Sequence, residues 1–380
     1  MRGDNKLTVF ASGNGDSILI EAHNHTVMTD IHYRRTQAED EDKDHVPDFA
    51  HDIREACPHD HMDVFVLTHP DKDHCHGFEH VFHIGHPNTH DADPVEGETK
   101  IIVDEIWCSP YSTNPHYVTE HAKPILDEIK RRERLIGTLE GTIVGNRLKI
   151  LDMDGQTTGT VVDGLSWRLL APTLDEWDIE KAPEGETPTS SNPTSLVIQW
   201  TVTVNGGENL ILLGGDSTVE VWERIESEIH AADPDAVAWH VMVALHHCSR
   251  RSLGRVYNDN HVDEEFIESE EALRALGEKR GLGYVVSSSK RVYRGGHTPP
   301  SYHAKNRYLN ILAGSAAMSE AIRERFVCVG GHADDDTPTH AVFSLTSKGP
   351  TPPQKKKAPA TTASAAAAVS SVGRGGGYGR

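Results

Sequence analysis

The segment 67-LTHPDKDHCHGF-78 follows the apolar run 62-MDVFV-66 and contains His69, Asp71, Asp73 and His74 in close succession. An apolar run that ends in polar side chains is typical of a buried strand followed by a site-bearing loop. Imidazoles and carboxylates are metal ligands once they are deprotonated. Alternate residues of one turn can face the same side, while the adjacent Asp73 and His74 can diverge toward two metals. The stretch therefore predicts a metal site at a strand end.

Other apolar runs end in the same way, which places metal-capable side chains at several strand ends. The segments are 67–74, 212-LLGGD-216, 244-ALHHCS-249 and the turn Gly295-Gly296-His297. Loops at the ends of rigid strands are where sheet proteins build sites. These segments are expected to converge on one centre.

Composition limits the classes of function that the chain can serve. The chain has 380 residues, a formal charge of −21 and 25 histidines. The charge disfavours binding of long duplex nucleic acid unless a local basic or metal-lined site overrides it. No apolar stretch is long enough to span a membrane, and the first residues lack the apolar core of a signal peptide. Five scattered cysteines argue against a disulfide framework, so we expect a cytoplasmic protein.

The pattern along the chain predicts one domain over residues 1–348, with acidic insertions near 35–50 and 86–99. Strands are expected at 6–12, 18–22, 25–31, 62–68, 100–109, 165–173, 283–289 and in a hairpin across Asn205-Gly206-Gly207, and helices at 48–56, 77–84, 116–135, 217–229 and 263–279. Residues 349–380 have almost no large apolar side chains and are predicted to be a disordered tail. We interpret the tail as solubilising, with contact to a protein partner as the alternative.

The segment from His69 to Gly77 resembles the H-x-H-x-D-H-x-x-G motif of metallo-β-lactamase-fold hydrolases, with Asp71 in place of the second histidine. Further motifs resemble, in order, those of the subgroup that includes the hydrolase domain of bacterial DNA-uptake proteins. These motifs are Gly13-Asn14-Gly15-Asp16-Ser17, Thr29-Asp30, Asn192-Pro193-Thr194-Ser195-Leu196, Gly214-Gly215-Asp216, His246-His247-Cys248-Ser249 and Gly296-His297-Thr298-Pro299. The resemblance covers roughly residues 7 to 312.

The resemblance implies an α/β fold (α+β) of the αββα sandwich type, with two mixed sheets face to face and helices outside. It also implies two divalent metal ions, zinc first and manganese or iron as alternatives, because an aspartate at position 71 hardens the site. The implied metal ligands are His69, Asp71, Asp73, His74, Asp216 and His247, with His246 as a ligand or an orienting group.

The remaining roles follow from the same resemblance. Asp216 would bridge the metals, Asp73 or Asp216 would accept the proton of the attacking water, and His297 would touch the substrate or donate a proton. Asp16 and Asp30 are expected behind the ligands rather than among them. A third histidine of the first metal is expected from His116 or His121.

The resemblance favours hydrolysis of a phosphodiester, in a nucleic acid or a nucleotide, and the acidic charge favours a small or single-stranded substrate. One alternative is hydrolysis of another ester, a thioester or an amide on the same scaffold. The other alternative is a degenerate metal-binding module that acts through partner contact. By family-level analogy, a role in bacterial defence systems also follows.

Overall fold

The computed structural model describes residues 4–34, 47–92, 94, 98–177, 190–257, 265–296, 299–331 and 337–357. Its strands, in chain order, are β1 (Lys6–Val9), β2 (Ile18–Ala22), β3 (His25–Thr29), β4 (His61–Leu67), β5 (Ile102–Cys108), β6 (Arg147–Ile150), β7 (Thr158–Val162), β8 (Leu165–Ala171), β9 (Val197–Val204), β10 (Gly207–Leu213), β11 (Trp239–Val243), β12 (Gly254–Tyr257), β13 (Glu265–Glu268), β14 (Lys279–Lys290), β15 (Phe326–Gly330), β16 (Thr339–Thr346), β17 (Gly349–Pro350) and β18 (Gln354–Lys357). Its helices are α1 (Ala50–Ala56), α2 (Lys72–Cys75), α3 (Phe78–Val81), α4 (Lys123–Glu133), α5 (Leu174–Trp177), α6 (Val219–Ile225), α7 (Leu245–Cys248), α8 (Glu270–Ala275), α9 (Tyr302–Ala313) and α10 (Glu320–Arg323).

Two large mixed sheets and several helices make this a mixed α/β protein. The first sheet has the order β17-β16-β1-β2-β3-β4-β5-β6, with β18 also paired to β16, and the second has the order β15-β14-β11-β10-β9-β8-β7. Strands β12 and β13 form a separate two-stranded sheet. The α/β class predicted from the sequence is therefore correct at this level.

Each large sheet contains a block of parallel strands. In the first sheet β3, β4, β5 and β6 are parallel neighbours, and in the second β10, β11, β14 and β15 are. Parallel strands are covered on both faces and read as apolar runs, which explains the sequence 64-VFVL-67. Their carboxyl ends lie at one edge of each sheet, where ligands are bound in open α/β sheets.

Apolar side chains fill three regions around the sheets. One cluster joins inward-facing residues of both sheets, and within it the rings of Trp107 and Trp200 stack with their centroids 5.7 Å apart. A second cluster lies between the second sheet and helices α6, α8 and α9. A third lies between the first sheet and helices α1, α3 and α4. The sheets are thus buried on both faces along their parallel strands.

Helix α4 shows how a proline fixes a boundary that periodicity leaves open. The sequence pattern predicts a helix from residue 116, but the helix starts at Lys123, with Pro124 in its first turn. Proline lacks an N–H and is favoured in that turn, where the N–H would have no intrahelical acceptor. The predicted helix at 263–279 is also wrong in part, because Glu265–Glu268 pairs as strand β13 and the helix is only Glu270–Ala275.

The predicted start of the tail needs correction. Gly349–Pro350 and Gln354–Lys357 are strands that pair with β16, whereas the composition predicts disorder from residue 349. Backbone pairing with a sheet edge needs no apolar side chains, so composition does not detect it. Residues 358–380 lie outside the described part of the chain. Among the described residues, no helix has the length and hydropathy needed to cross a membrane.

Candidate metal centre

Five segments bring polar side chains to the edge where the parallel strands end. Asp30 follows β3, His69 follows β4, Asp216 follows β10, and His247 follows β11. Ser288 lies near the end of β14, the next strand of the second sheet. Because these strands are parallel within each sheet, their carboxyl ends carry the side chains to one place.

Asp16, His74, Asp216 and His247 form a buried group that could hold a metal ion. One ligand atom from each residue lies within 4.8 Å of the corresponding atoms of the others. His74 Nε2 lies 3.1 Å from Asp216 Oδ1. Ligands bound at 2.0–2.1 Å in a tetrahedral zinc site are about 3.3 Å apart, so this separation fits a shared cation.

Hydrogen bonding gives an independent test of whether a metal fits. The buried atoms His69 Nε2, His74 Nε2 and Asp216 Oδ1 have no hydrogen-bond partner within the described ranges. Buried polar atoms are nearly always paired, so such atoms at one place need an explanation. His74 Nε2 and Asp216 Oδ1 face each other across 3.1 Å, and a cation held between them would satisfy both, so the residues present fit a divalent metal.

Asp30 and Thr68 fix the orientation of His74. His74 Nδ1 donates to Asp30 Oδ2 over 2.7 Å, and Thr68 donates to the same carboxylate from its backbone N–H (2.8 Å) and its hydroxyl (2.6 Å). This arrangement directs Nε2 toward Asp216. A carboxylate behind a ligating histidine holds the ring and its tautomer. Asp30 therefore lies behind the His74 ring, on the Nδ1 side, while Nε2 faces Asp216.

His247 is oriented by the other sheet. Its Nδ1–H donates to the carbonyl oxygen of Ser288 over 3.2 Å, and the Ser288 hydroxyl donates to Asp16. Nε2 of His247 lies 3.1 Å from Asp73 Oδ2 and 3.6 Å from Asp216 Oδ1. The Ser288 carbonyl thus leaves Nε2 to face the carboxylates, which is the tautomer that a ligand needs.

The turn that carries the paired histidines has an unusual backbone. His246, His247 and Cys248 have φ angles of 47°, 51° and 67° in succession. Side chains in the left-handed region cost free energy, and such residues concentrate at functional sites. Gly215 also has a positive φ of 48°, and a Cβ atom there would come within 2.8 Å of the Thr68 hydroxyl oxygen. The two turns that carry Asp216 and the paired histidines therefore both adopt a conformation that most residues avoid.

The charges of the group are strongly coupled. Burial opposes the charged form of His74, but Asp216 and Asp30 outweigh it and raise the pKa of the imidazole well above its usual value. Burial likewise opposes ionisation of Asp216, but His247 and His74 outweigh it and hold its pKa well below the usual range. The metal-free chain thus keeps positive charge between its carboxylates. A metal must displace those protons on binding.

His69 and Asp71 extend the site toward solvent. His69 is fully buried, its Nε2 lies 3.6 Å from Asp71 Oδ2, and its ring centroid lies 4.1 Å from that of His74. Asp71 is 39% exposed and accepts a hydrogen bond from the Ser191 hydroxyl. Burial raises the pKa of Asp71, but the contacts with His69 outweigh it and lower the pKa overall. Asp71 is therefore an ionised group at the rim.

His246 occupies the open side of the group. Its Nε2 lies 3.3 Å from Asp216 Oδ2, and its side chain is 22% exposed. Burial is the largest cause that lowers the pKa of His246, which keeps the ring neutral. A neutral, accessible imidazole beside the buried carboxylate can bind a metal or exchange a proton with a substrate.

The predicted ligands His69, Asp71, Asp73, His74, Asp216, His246 and His247 therefore lie in one connected set of contacts. His297 lies outside the described residues. The third histidine stays a prediction: the ring of His121 packs on that of His76 at 4.3 Å, and the ring of His116 lies 6.3 Å from that of Tyr111. Neither belongs to the four-residue group.

Asp16 belongs to the group of four, but its carboxylate approaches the Nδ1 atoms of His247 (3.6 Å) and His74 (4.0 Å). Its expected position behind the ligands stays a prediction. The glycine-containing turn at 13–16 brings Asp16 to this place, because the backbone N–H of Asp16 donates to the carbonyl oxygen of Asp73 over 3.0 Å. That bond ties the turn directly to the first ligand segment.

No protein-family model matches the chain, and a search of curated proteins finds no significant match.

Proposed function

We propose that the chain is a metal-dependent hydrolase that cleaves phosphodiesters at the edge where its parallel strands end. The observation that carries the proposal is the buried group of Asp16, His74, Asp216 and His247, in which facing nitrogen and oxygen atoms lack hydrogen-bond partners in the described part of the chain. We further propose that the two sheets and their outer helices form an αββα sandwich of the metallo-β-lactamase type.

Two divalent ions, zinc first, are proposed for the site. Asp16, His74, Asp216 and His247 would hold one, and His69 with Asp71 would begin the shell of the other. Such ions supply Lewis-acid polarisation of the substrate and lower the pKa of water toward neutrality. Structural zinc sites are closed by protein ligands, whereas catalytic sites keep an open position. The exposed side near His246 and Asp71 supports the catalytic reading.

The protein groups then have distinct tasks. Asp73 is 35% exposed, and the contact with His247 outweighs its burial and keeps its pKa below the usual value, so it is ionised at neutral pH. An ionised carboxylate at the open side can accept the proton of an attacking water. His246, which is neutral and accessible, can hydrogen-bond a substrate oxygen. His297 remains the proposed donor of a proton to the leaving group.

Metal content and turnover of bis(p-nitrophenyl) phosphate test the proposal. We expect bound divalent metal in protein purified without added metal, and turnover that a chelator abolishes. Asp216→Asn should lose most of the metal and reduce turnover to background. Asp154→Asn is the matched control, because Asp154 is an exposed carboxylate outside the site.

Each outcome separates one alternative. Turnover that survives in Asp216→Asn would refute the metal-centred mechanism. Bound metal without turnover of any phosphodiester, but with hydrolysis of a carboxylic ester, a thioester or an amide, would assign another substrate class to the same site. Bound metal with no hydrolysis at all would support the degenerate module.

A further inference from the structure

Thr68 lies where the two sheets meet, at the edge that carries the candidate metal centre. It follows β4 directly and is 1% exposed. Its backbone N–H donates to Asp30, which follows β3, and its carbonyl oxygen accepts from the backbone N–H of Leu196, just before β9, over 3.1 Å. An added Cβ atom at Gly215 would come within 3.0 Å of the Thr68 Cβ. The Thr68 side chain therefore has little freedom to change its orientation.

The hydroxyl of Thr68 has one proton, and Asp30 accepts it. The Thr68 Oγ1 atom lies 2.6 Å from Asp30 Oδ2. Hydrogen bonds from a hydroxyl to an ionised carboxylate are roughly 2.5–2.7 Å long, shorter than those between neutral groups. A hydroxyl offers one donor and two acceptor lone pairs, so Thr68 Oγ1 can only accept a hydrogen bond from any further neighbour.

The further neighbour is the imidazole of His69. Its Nδ1 lies 3.1 Å from Thr68 Oγ1 and 3.3 Å from Ser195 Oγ. A bare Nδ1 would place its lone pair against those of Thr68, whereas a protonated Nδ1 donates a hydrogen bond. Nε2 of His69 has no hydrogen-bond partner within the described ranges and lies 3.6 Å from Asp71 Oδ2, which is too far for one. In the neutral ring of His69, the single proton therefore belongs on Nδ1.

The same hydroxyl connects this ring with that of His74. Asp30 Oδ2, which accepts the proton of Thr68, also accepts from His74 Nδ1 over 2.7 Å. One chain of hydrogen bonds thus joins the two imidazoles through Thr68 and Asp30. Both rings carry a proton on Nδ1 in this chain, which leaves Nε2 of each as the nitrogen that can bind a metal.

Ser195 shows why the hydroxyl of Thr68 decides the tautomer of His69. A hydroxyl that can rotate either accepts from Nδ1 or donates to it, so Ser195 is compatible with a proton on either ring nitrogen. Thr68 is not, because its own proton is directed to Asp30. Without the Thr68 hydroxyl, Ser195 could donate to Nδ1, and the proton of the ring would then lie on Nε2.

We propose that Thr68 is a positioning residue of the candidate metal centre: its hydroxyl, directed to Asp30, holds His69 with Nε2 as the ligand nitrogen. The orientation of His69 stands on the hydrogen bonds alone. Its use at a second metal position rests on the proposed function, in which His69 and Asp71 begin the shell of that metal.

Long-range ¹H–¹⁵N correlation spectra of the metal-free chain test the orientation, because the protonated and the bare nitrogen of a neutral imidazole have well-separated ¹⁵N shifts. His69→Gln identifies the His69 signals by their loss. Wild type and Thr68→Ser should both carry the His69 proton on Nδ1, since serine keeps the hydroxyl. Thr68→Val replaces the hydroxyl by a methyl group of similar size, so at least part of the molecules should carry the proton on Nε2.

Zinc titration against a chromophoric indicator tests the use of His69 as a ligand. Loss of a hydrogen-bond partner behind a ligating histidine typically costs about 10- to 100-fold in metal affinity. We expect such a loss in Thr68→Val and recovery of most of the affinity in Thr68→Ser. Thr26→Val is the matched control, because the buried Thr26 bonds the Asp63 carboxylate through its backbone N–H and its hydroxyl, outside the metal group.

The proposal is supported if Thr68→Val shifts the His69 proton and weakens zinc binding while Thr68→Ser and Thr26→Val behave as wild type. It is overturned if wild type carries the proton on Nε2, if Thr68→Val keeps the wild-type tautomer, or if Thr26→Val loses as much zinc affinity. The first of these results does not depend on whether a variant folds. A changed tautomer with unchanged zinc affinity would overturn the part that concerns the metal.

The two proposals fail in different ways. The expected tautomer in a chain that hydrolyses no phosphodiester would leave the positioning role of Thr68 standing and count against the proposed function. Turnover by a chain whose His69 proton lies on Nε2 would do the reverse.

Discussion

Replacement of Asp30 by asparagine should weaken metal binding while leaving the fold intact. The Asp30 carboxylate is fully buried and accepts three hydrogen bonds, from the backbone N–H and hydroxyl of Thr68 and from His74 Nδ1. An asparagine can keep the bond from the Thr68 backbone with its carbonyl oxygen. Its amide group would then face two donors where the aspartate offered an acceptor.

The imidazole can relieve that conflict only by changing its tautomer. A metal-bound His74 is neutral and keeps its one proton on Nδ1, whereas a neutral imidazole that accepts from the new amide keeps that proton on Nε2, the atom that faces Asp216 at 3.1 Å. A protonated Nε2 cannot bind a metal, so every binding event must reverse the change. Loss of such a carboxylate behind a ligating histidine typically costs 10- to 100-fold in metal affinity, or about 1.4 to 2.7 kcal/mol.

Competition with a chromophoric zinc indicator measures this effect, and thermal unfolding of the metal-free protein reports on the fold. Asp63→Asn is a closely matched control. Asp63 accepts from the backbone N–H of Thr26 (2.8 Å), from the Thr26 hydroxyl (3.2 Å) and from His25 Nδ1 (2.6 Å), but none of these residues belongs to the metal group. Zinc affinity of Asp30→Asn within twofold of wild type would refute the reasoning, as would an equal loss in Asp63→Asn.

Two further predictions concern stability. Glu128→Ala should lower the free energy of unfolding by about 3–5 kcal/mol in urea titrations, because it leaves the buried Arg132 charge without a carboxylate. The exposed Asp127→Ala should cost less than about 1 kcal/mol, and similar losses in both variants would contradict the prediction. Burial lowers the pKa of His230, but contacts with Glu278 (3.0 Å) and Glu226 outweigh it and raise the pKa overall. A group whose pKa is raised on folding stabilises the fold fully below its unfolded-state pKa, near 6.5, and this contribution is lost as the pH rises through the folded-state pKa. The free energy of unfolding of wild type should therefore exceed that of His230→Gln by less and less as the pH increases above about 6.5. A difference that grows with pH would refute the prediction.

The sequence predicts the strands of the parallel blocks well because burial on both faces leaves a strong signal. Apolar runs such as 62–68 and 283–289 are strands at nearly the expected positions. Short paired elements are harder. The segment 265-EFIE-268 becomes a strand through pairing with β12, and the one-dimensional pattern cannot tell this from the start of a helix.

For the candidate site as well, the sequence identifies some residues and cannot place others. His69, His74 and Asp216 could be identified because each follows a predicted strand at an expected spacing. The place of Asp16 could not be predicted in detail, because it depends on a backbone bond to Asp73 and a hydroxyl from Ser288, two contacts between distant segments. The third histidine stays a prediction, with the ring of His121 packed on His76, two residues after His74.

The pairing of β1 with β16 has a consequence for how the protein is made. Lys6 stands opposite Ser344, so β16 joins β1 in the first sheet only when segments more than 300 residues apart meet. Non-local pairing of this kind slows folding, and β1 keeps an open edge until β16 arrives. During synthesis on the ribosome, that edge is available to other chains. The yield of native protein should therefore depend more on chaperones and expression temperature than the stability of the finished fold would suggest.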